Sequence, residues 1–281
     1  ALGHRSYVLL VLGFFTCGFQ LGFVTIHLPS YLIDRGISAQ VGGWTLGLID
    51  RNLAELTGVR NVLAGADQTI YIYHVNVADP EGVTAAVERF ATAEHGLDLM
   101  INNAGVAVGG EFLATPLADW RWIVDINLMG VIHGCRAALP HMRAVNLGCI
   151  VNIASAAAFA CGPGMSAYNV TKAGVVALSE SLMQESAGTG VRVTVALPGF
   201  FATNLLDGAR GTSAVAAAAR KLMESSSVTA DEVAEIVLSA AARGRTHVVV
   251  PGEYRRLWRW KRWFPAHFLR TFPKLAARAR R

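Results

Sequence analysis

The segment that decides the fold runs Cys149-Ile-Val-Asn-Ile-Ala-Ser155 and is followed, after a short link, by Ser166-Ala-Tyr-Asn-Val-Thr-Lys172. The apolar run before Ser155 predicts a buried strand, and the second stretch predicts a helix. On that helix Tyr168 and Lys172 occupy positions i and i+4 and therefore share a face. A strand that leads into such a helix is typical of one unit of a parallel α/β sheet.

The three polar residues of this segment predict proton transfer. An ammonium at Lys172 beside the phenol of Tyr168 favours phenolate, which lowers the pKa of that tyrosine from its ordinary value of about 10. The hydroxyl of Ser155, at the end of the strand, can contact the same substrate oxygen. This arrangement favours acid-base chemistry at an alcohol or ketone. The alternative interpretation is a half-buried helical tyrosine beside a solvated lysine.

On both sides of this segment, short apolar runs alternate with amphipathic stretches. The predicted strands are Trp44–Ile49, Thr69–Val77, Leu97–Ile101, Cys149–Ala154, Val191–Leu197 and His247–Val250. The predicted helices span about 53–64, 80–95, 116–138 and 166–186. This alternation predicts a Rossmann-like, doubly wound parallel sheet with helices on both faces.

Composition narrows the class of protein. A chain of 281 residues can form one large α/β domain or two small ones, and its hydrophobic share of 53% is high for a soluble protein. The four cysteines, at positions 17, 135, 149 and 161, form no C-x-x-C pair and no zinc-like spacing with histidine. We therefore predict no metal site, and thiols that stay reduced in the cytoplasm.

Several further motifs occur in order along the chain. They are Asn102-Asn-Ala-Gly105, Asn127, the trio of Ser155, Tyr168 and Lys172, and Pro198-Gly199 followed by Thr203. Over about Gly43–Gly252 this series resembles the short-chain dehydrogenase/reductase family. The resemblance implies that Tyr168 exchanges the substrate hydroxyl proton, that Ser155 holds the oxygen, and that Lys172 also grips the nicotinamide ribose.

The resemblance further implies a cofactor site and a proton-relay water held by Asn127. The implied cofactor-binding residues are Asp50, Asn76, Val77, Asn103, Ala104, Gly105, Tyr168, Lys172, Pro198, Gly199 and Thr203. Asp50 ends a predicted strand, where a carboxylate accepts hydrogen bonds from a free ribose 2'-hydroxyl and repels a 2'-phosphate. This favours NAD over NADP, although Arg51 could turn toward a phosphate. A helix-capping Asp50 is the alternative.

The N-terminal segment departs from the family pattern. A glycine-rich turn that holds pyrophosphate should precede Asp50, but the nearest candidate, Gly18-Phe-Gln-Leu-Gly22-Phe-Val24, carries bulky residues and lies too far upstream. The range from Ser6 to Ile33 has no charged residue and is long enough to span a bilayer, and no cleaved signal peptide is expected. Residues 6–47 resemble the opening segment of a major-facilitator transporter.

This departure suggests a fusion near Gly42–Gly47 that replaced the first strand of the dehydrogenase. That strand is central in a doubly wound sheet, so another apolar stretch must fill its place. Tyr7 to Leu12 is the best candidate. We accordingly divide the chain into an atypical apolar segment (1–42), a dinucleotide-binding and catalytic domain (43–252) and a basic aromatic tail (253–281).

The tail explains the positive net charge. From Pro251 to Arg281 lie ten of the 25 Lys and Arg residues and one of the 20 acidic residues. Between Tyr254 and Phe272 basic side chains alternate with tryptophan and phenylalanine, which suits a membrane surface. Packing on the core or on a second subunit is the alternative; nucleic acid is not predicted, since no binding module accompanies the basic residues.

Together these features predict an NAD(P)-dependent oxidoreductase that acts on a small apolar secondary alcohol or ketone. An apolar pocket and lid are predicted from Ala156, Ala157, Met165, Phe200, Phe201 and Leu205. The resemblance implies a homo-oligomer. The cysteines favour the cytoplasm, and the tail favours an association with a membrane there. The alternatives are a non-catalytic dehydrogenase-like scaffold and a membrane-anchored fusion, both without the pyrophosphate-binding turn.

Overall fold

The computed structural model describes residues 8–12, 45–63, 69–206 and 208–279. Its strands are β1 Val8–Leu12, β2 Thr45–Asp50, β3 Thr69–His74, β4 Leu99–Asn102, β5 Val108–Gly109, β6 Gly148–Ile153, β7 Val191–Pro198, β8 Arg210–Gly211 and β9 His247–Val250. Its α-helices are α1 Leu53–Leu63, α2 Pro80–Ala93, α3 Leu117–Val124, α4 Gly130–Ala144, α5 Ala157–Ala160, α6 Ser166–Glu185, α7 Ser213–Glu224, α8 Ala230–Ala242, α9 Gly252–Trp263 and α10 Pro265–Ala279.

Seven of these strands form one parallel sheet in the order β3-β2-β1-β4-β6-β7-β9. The chain builds outward from β1 in one direction and then crosses to β4 and builds in the other. The boundary between β1 and β4 is therefore the topological switch point, where ligands of doubly wound sheets bind. The short strands β5 and β8 pair with each other in a separate two-stranded sheet.

The central strand comes from the N-terminal segment. Val8–Leu12 pairs in parallel with β2 on one side and with β4 on the other. This confirms the interpretation that the stretch from Tyr7 to Leu12 fills the place of the first strand, for the residues that are described. The glycine candidate Gly18–Val24 and most of the transporter-like range 6–47 lie outside the described residues.

Helices cover both faces of the sheet, as the alternation of strands and helices predicts. On one face α2, α4 and α6 pack in a cluster that includes the fully buried Phe90, Ile123 and Met142. On the other face α1 and α8 pack against β2, β4 and β6, with Leu56 and Val237 fully buried. The fold is thus a three-layer sandwich whose two cores fix the strand ends that carry the site.

The largest differences from the predicted element boundaries occur in one helix and one strand, while other boundaries shift by one or two residues. The long helix predicted over 116–138 is α3 and α4 joined by a π-helical turn, Asp125–Met129, and α4 continues to Ala144. The strand predicted to reach Val77 ends at His74, because the next residues turn toward the Asp79 cap of α2, where Asp79 Oδ1 accepts the N–H of Gly82.

Candidate active site

A cavity of about 410 Å³ opens at the carboxyl edge of the sheet. It lies where β4, β6 and β7 end and are followed by Asn103, Ser155 and Gly199. Because all strands of this sheet are parallel, side chains far apart in sequence meet at this edge. The three residues of the predicted proton-transfer trio, Ser155, Tyr168 and Lys172, all line the cavity.

Tyr168 and Lys172 lie together on the buried face of α6. Tyr168 is 6% exposed and Lys172 is 3% exposed, and the ammonium Nζ lies 5.8 Å from the centre of the phenol ring. Lys172 Nζ donates a hydrogen bond of 2.9 Å to the carbonyl of Ile153, the last residue of β6. A buried ammonium needs such polar contacts to offset its lost hydration. The helix and the strand end therefore hold the cation beside the phenol.

Ser155 is held between two strand ends. Its Oγ accepts the N–H of Ala157 at 3.1 Å and lies 3.4 Å from the carbonyl oxygen of Pro198, to which it donates. The side chain is half-buried and belongs to the cavity wall. The hydroxyl of Ser155 and the phenol of Tyr168 thus belong to the lining of the same cavity.

Asn127 lies behind the cavity wall, in the π-helical turn between α3 and α4. It is fully buried; its Oδ1 accepts the N–H of Val106 at 2.8 Å and its Nδ2 donates to the carbonyl of Val106 at 2.9 Å. A methyl group added at Gly105 would lie 3.3 Å from Lys172 Nζ and 3.6 Å from Asn127 Oδ1. Asn127 therefore clamps the loop after β4 against the lysine, and π turns are frequent at such functional positions.

The predicted cofactor-binding residues divide into two groups. Besides the trio's members, those that line the cavity are Asn103, Gly105, Pro198, Gly199 and Thr203. Those outside its lining are Asp50, Asn76, Val77 and Ala104. Asp50 Oδ1 accepts the N–H of Asn52 at 2.7 Å, and Asn76 Oδ1 accepts the N–H of Ala78 at 3.1 Å. Both stand at the same carboxyl edge of the sheet, after β2 and β3.

Asn103 carries a hydrogen-bond donor that the described chain does not use. Its Nδ2 is buried and has no partner within the described residues. Unpaired buried donors are uncommon in folded proteins, and they mark places where a ligand or an ordered water completes the bonding. Together with the glycine at 105, which leaves room beside Lys172, this fits a bound group rich in oxygen acceptors, such as the ribose of a dinucleotide.

The model of the family described as short chain dehydrogenase matches residues 39–213, more than half of the chain, and this range holds the whole trio. The chain belongs to the short chain dehydrogenase family. As a member it is an NAD(P)-dependent oxidoreductase.

Individual relatives agree with this placement. The dehydrogenase is 33% identical over 192 residues to 2-(R)-hydroxypropyl-CoM dehydrogenase of Xanthobacter autotrophicus, which covers 66% of this chain and 75% of that protein. It is 31% identical over 137 residues to a 3-oxoacyl-(acyl-carrier-protein) reductase of Staphylococcus aureus, covering 49% of this chain and 56% of that one. Among solved structures, a short chain dehydrogenase/reductase from Burkholderia phymatum in complex with NAD superposes with a TM-score of 0.76 at 28% identity, over 93% of this chain and 95% of that one.

The rest of the cavity of this dehydrogenase is apolar. All six residues predicted for an apolar pocket and lid line it, as do residues that the sequence reading did not single out: Leu206, Ala219, Leu222, Met223, Tyr254, Leu257, Phe272 and Leu275. Four of the latter belong to the basic aromatic tail, in α9 and α10. The spacing of Phe268, Phe272 and Leu275 at i, i+4 and i+7 is the sequence signal that points to a packed face of α10.

Tyr254 joins this tail to the turn after β7. Its phenol oxygen accepts the N–H of Phe200 at 3.3 Å, and its ring lies so close to Gly199 that an added methyl group there would overlap it. Burial raises the pKa of Tyr254 above its ordinary value, so the phenol stays neutral at physiological pH. The tail therefore packs on the dehydrogenase core, one of the alternatives considered for it.

Other site types are not seen in the described part of the chain. No cluster of three or more metal-ligating side chains occurs there. No helix among the same residues is long and apolar enough to cross a membrane. The described cysteines, Cys135, Cys149 and Cys161, are free thiols.

Proposed function

We propose that this chain is an NAD-dependent dehydrogenase that interconverts an apolar secondary alcohol and the corresponding ketone. The observation that carries this proposal is that Ser155, Tyr168 and Lys172 all line one largely apolar cavity. A phenol, an ammonium and a hydroxyl on one wall can manage the proton and the oxygen of a carbinol, while the remaining walls accept its hydrocarbon part.

The proposed chemistry assigns each side chain one role. In the oxidation direction the phenol oxygen of Tyr168, as phenolate, takes the hydroxyl proton of the alcohol. Lys172 favours that phenolate by its positive charge, and Ser155 Oγ donates a hydrogen bond to the substrate oxygen. When bound, the nicotinamide supplies the hydride acceptor for the carbinol carbon. In reduction Tyr168 returns the proton to the oxygen.

The preference for NAD rests on Asp50. Its carboxylate ends β2, next to the central strand β1, which is where doubly wound folds place the acid that contacts the adenosine ribose. A free 2'-hydroxyl can donate to this carboxylate, whereas a 2'-phosphate would meet like charge. Arg51 is exposed beside it, and NADP is the alternative that its guanidinium would favour.

Hydride transfer from deuterated cofactor tests the proposal. The purified protein is incubated with NADH or NADPH deuterated at C4 and with a panel of apolar ketones. We expect deuterium at the carbinol carbon of the product, with NADH preferred. A parallel fluorescence titration with NADH tests the alternative of a non-catalytic scaffold without the pyrophosphate-binding turn, which predicts no saturable binding at millimolar NADH. Absence of transfer despite saturable NADH binding would contradict the enzymatic proposal.

We also propose that the tail binds an anionic membrane surface. Trp263 is 77% exposed and Phe264 is 61% exposed, and exposed Arg259, Arg262 and Arg270 lie close to them in sequence. Exposed aromatic rings among cations suit the boundary between headgroups and acyl chains.

Vesicle sedimentation tests this second proposal with a matched pair of variants. Phe264→Ser should weaken binding to phosphatidylglycerol vesicles. Phe112→Ser removes an equally exposed ring outside the tail, 64% exposed, and should not. Neither protein should bind neutral phosphatidylcholine vesicles strongly. Equal binding of both variants to phosphatidylglycerol vesicles would contradict the proposal that the tail binds the membrane surface.

Two further predictions concern the whole protein. A membrane-anchored fusion through the transporter-like range 6–47 predicts that the protein stays in the membrane pellet during alkaline carbonate extraction, whereas attachment by the tail alone predicts release. A homo-oligomer predicts a mass above that of one 30.0 kDa chain in light scattering.

A further inference from the structure

The C-terminal helices contribute directly to the cavity that holds the proton-transfer trio. Tyr254 and Leu257 line it from α9, and Phe272 and Leu275 line it from α10. These residues lie more than 80 positions after Tyr168 and outside the range matched by the family model, which ends at residue 213. The family pattern therefore does not account for this part of the wall.

We propose that α9 and α10 form the distal wall of the substrate site and restrict the enzyme to uncharged substrates with an extended hydrocarbon group. This inference rests on the proposed alcohol-ketone chemistry for the position of the reacting carbon. It adds the chemical class of the group attached to that carbon, and it assigns that selection to the tail.

The lining at the tail end of the cavity is apolar. Besides Tyr254, Leu257, Phe272 and Leu275 of the tail, the cavity lining includes Leu205 and Leu206 of a 3₁₀ turn and Leu222 and Met223 of α7. Of the described residues that line the cavity, Lys172 is the only charged one, and it belongs to the catalytic wall. A carboxylate, sulfonate or phosphate on the substrate would lose hydration there without gaining a cation. Hydrocarbon gains free energy in the same place.

The tail is firmly seated. Phe268 is fully buried; its ring lies 4.8 Å from that of Phe272 in a stacked arrangement and 4.9 Å from that of Trp260 in an edge-on arrangement. These contacts tie α10 to α9, and Tyr254 ties α9 to the turn after β7. The position of Phe272 against the cavity is therefore set by packing.

Leu275 marks the mouth of the cavity. It lines the cavity and yet is 45% exposed, so it contacts both the interior and solvent. A hydrocarbon chain long enough to reach it would leave the shielded space beyond this point. Added methylenes should therefore increase affinity up to that length and no further.

A chain-length series of methyl ketones, from butan-2-one to dodecan-2-one, tests the proposal with NADH. We expect kcat/KM to rise about fourfold per methylene and then to level off, because each buried methylene contributes about 0.8 kcal/mol. Leu275→Ala should lower kcat/KM for the long ketones several-fold and should lower it much less for butan-2-one. Leu269→Ala, on the same helix and 52% exposed but outside the cavity lining, is the matched control and should leave the whole series unchanged.

Calorimetric binding of decan-2-one and of decanoate gives a readout independent of turnover. The unmodified protein should bind decan-2-one, and it should bind decanoate far more weakly. Leu275→Ala should lower the affinity for decan-2-one several-fold, whereas Leu269→Ala should leave that affinity unchanged. If no ketone is reduced but this binding pattern holds, the proposed reaction is wrong and the distal wall stands. If ketones are reduced without dependence on chain length or on Leu275, or if decanoate binds as well as the ketone, the distal wall proposal is wrong and the reaction stands.

Discussion

Lys172 shows how much of the site depends on the placement of single atoms. Its ammonium is almost completely buried, donates to the last carbonyl of β6, and lies one helical turn from the phenol of Tyr168. Gly105 approaches so closely that even a methyl group there would press on the ammonium. The proton transfer proposed for Tyr168 therefore depends on the position of Lys172, which Gly105 and the Ile153 carbonyl contact, and Asn127 holds the loop that contains Gly105.

Replacement of Tyr168 tests the acid-base role. Tyr168→Phe should lower kcat/KM by about 100-fold or more, since it removes the proton carrier, while NADH binding stays within a few-fold. Tyr73→Phe is the control, because this partly buried tyrosine stacks on Tyr71 in β3, away from the cavity. Burial raises the pKa of Tyr73 to about 12, so its loss removes no group that titrates near neutral pH. Equal activity of the two variants in steady-state assays would contradict the assignment.

The turn after β7 and the helix α9 depend on each other. Gly199 leaves just enough space for the ring of Tyr254, whose phenol in turn holds the N–H of Phe200. The element that should contact nicotinamide is thus supported from behind by the C-terminal tail. A change at this contact should affect both the packing of α9 and the shape of the cavity.

Gly199→Ala should destabilise the protein by about 1–3 kcal/mol, because the added methyl group overlaps the Tyr254 ring and must displace α9. It should also raise KM for NADH. Gly252→Ala is the control: it lies at the start of α9, and an added methyl group meets nothing within 4 Å. Urea unfolding gives the free energies of unfolding. An unchanged free energy of unfolding in Gly199→Ala would show that α9 does not support the turn.

At the level of the whole sheet, β1 is the central strand that joins the strands β2 and β3 to the strands β4, β6, β7 and β9. Val8–Leu12 is the only described segment that bridges β2 and β4, so β2 and β3 join the rest of the sheet through it. Parallel strands at such a position are bonded on both sides and have no edge exposed to solvent. Loss of β1 would leave unpaired edges on both remaining parts.

Leu10→Pro tests this role. Proline removes a backbone donor from the centre of the sheet, so we expect a loss of at least about 2 kcal/mol in the free energy of unfolding, or failure to fold. Thr69→Pro is the control, because it places proline at the first residue of the edge strand β3, a position that tolerates it. Circular dichroism and thermal unfolding compare the two. A stable, cooperative Leu10→Pro variant would exclude β1 from the central position.

The trio and the parallel sheet could be inferred from sequence because both rest on local patterns. An i, i+4 pair on a helix and an apolar run that ends at a serine need no distant partner to be interpreted. The fold class and the apolar pocket residues near Ser155 followed from these patterns. The stretch from Tyr7 to Leu12 was only the best candidate for the missing first strand, because a short apolar run does not indicate which strands will flank it.

The role of the tail could not be inferred from local sequence patterns. Its alternation of arginine and tryptophan fits a membrane surface and a packed helix equally well, because both environments take an apolar face and leave cations in water. Tyr254 contacts Gly199, and Phe272 and Leu275 line the cavity. These residues are far apart in sequence and come together only when the sheet is complete. Local spacing thus predicted the trio of Ser155, Tyr168 and Lys172, whereas long-range packing determined that α9 and α10 line the same cavity.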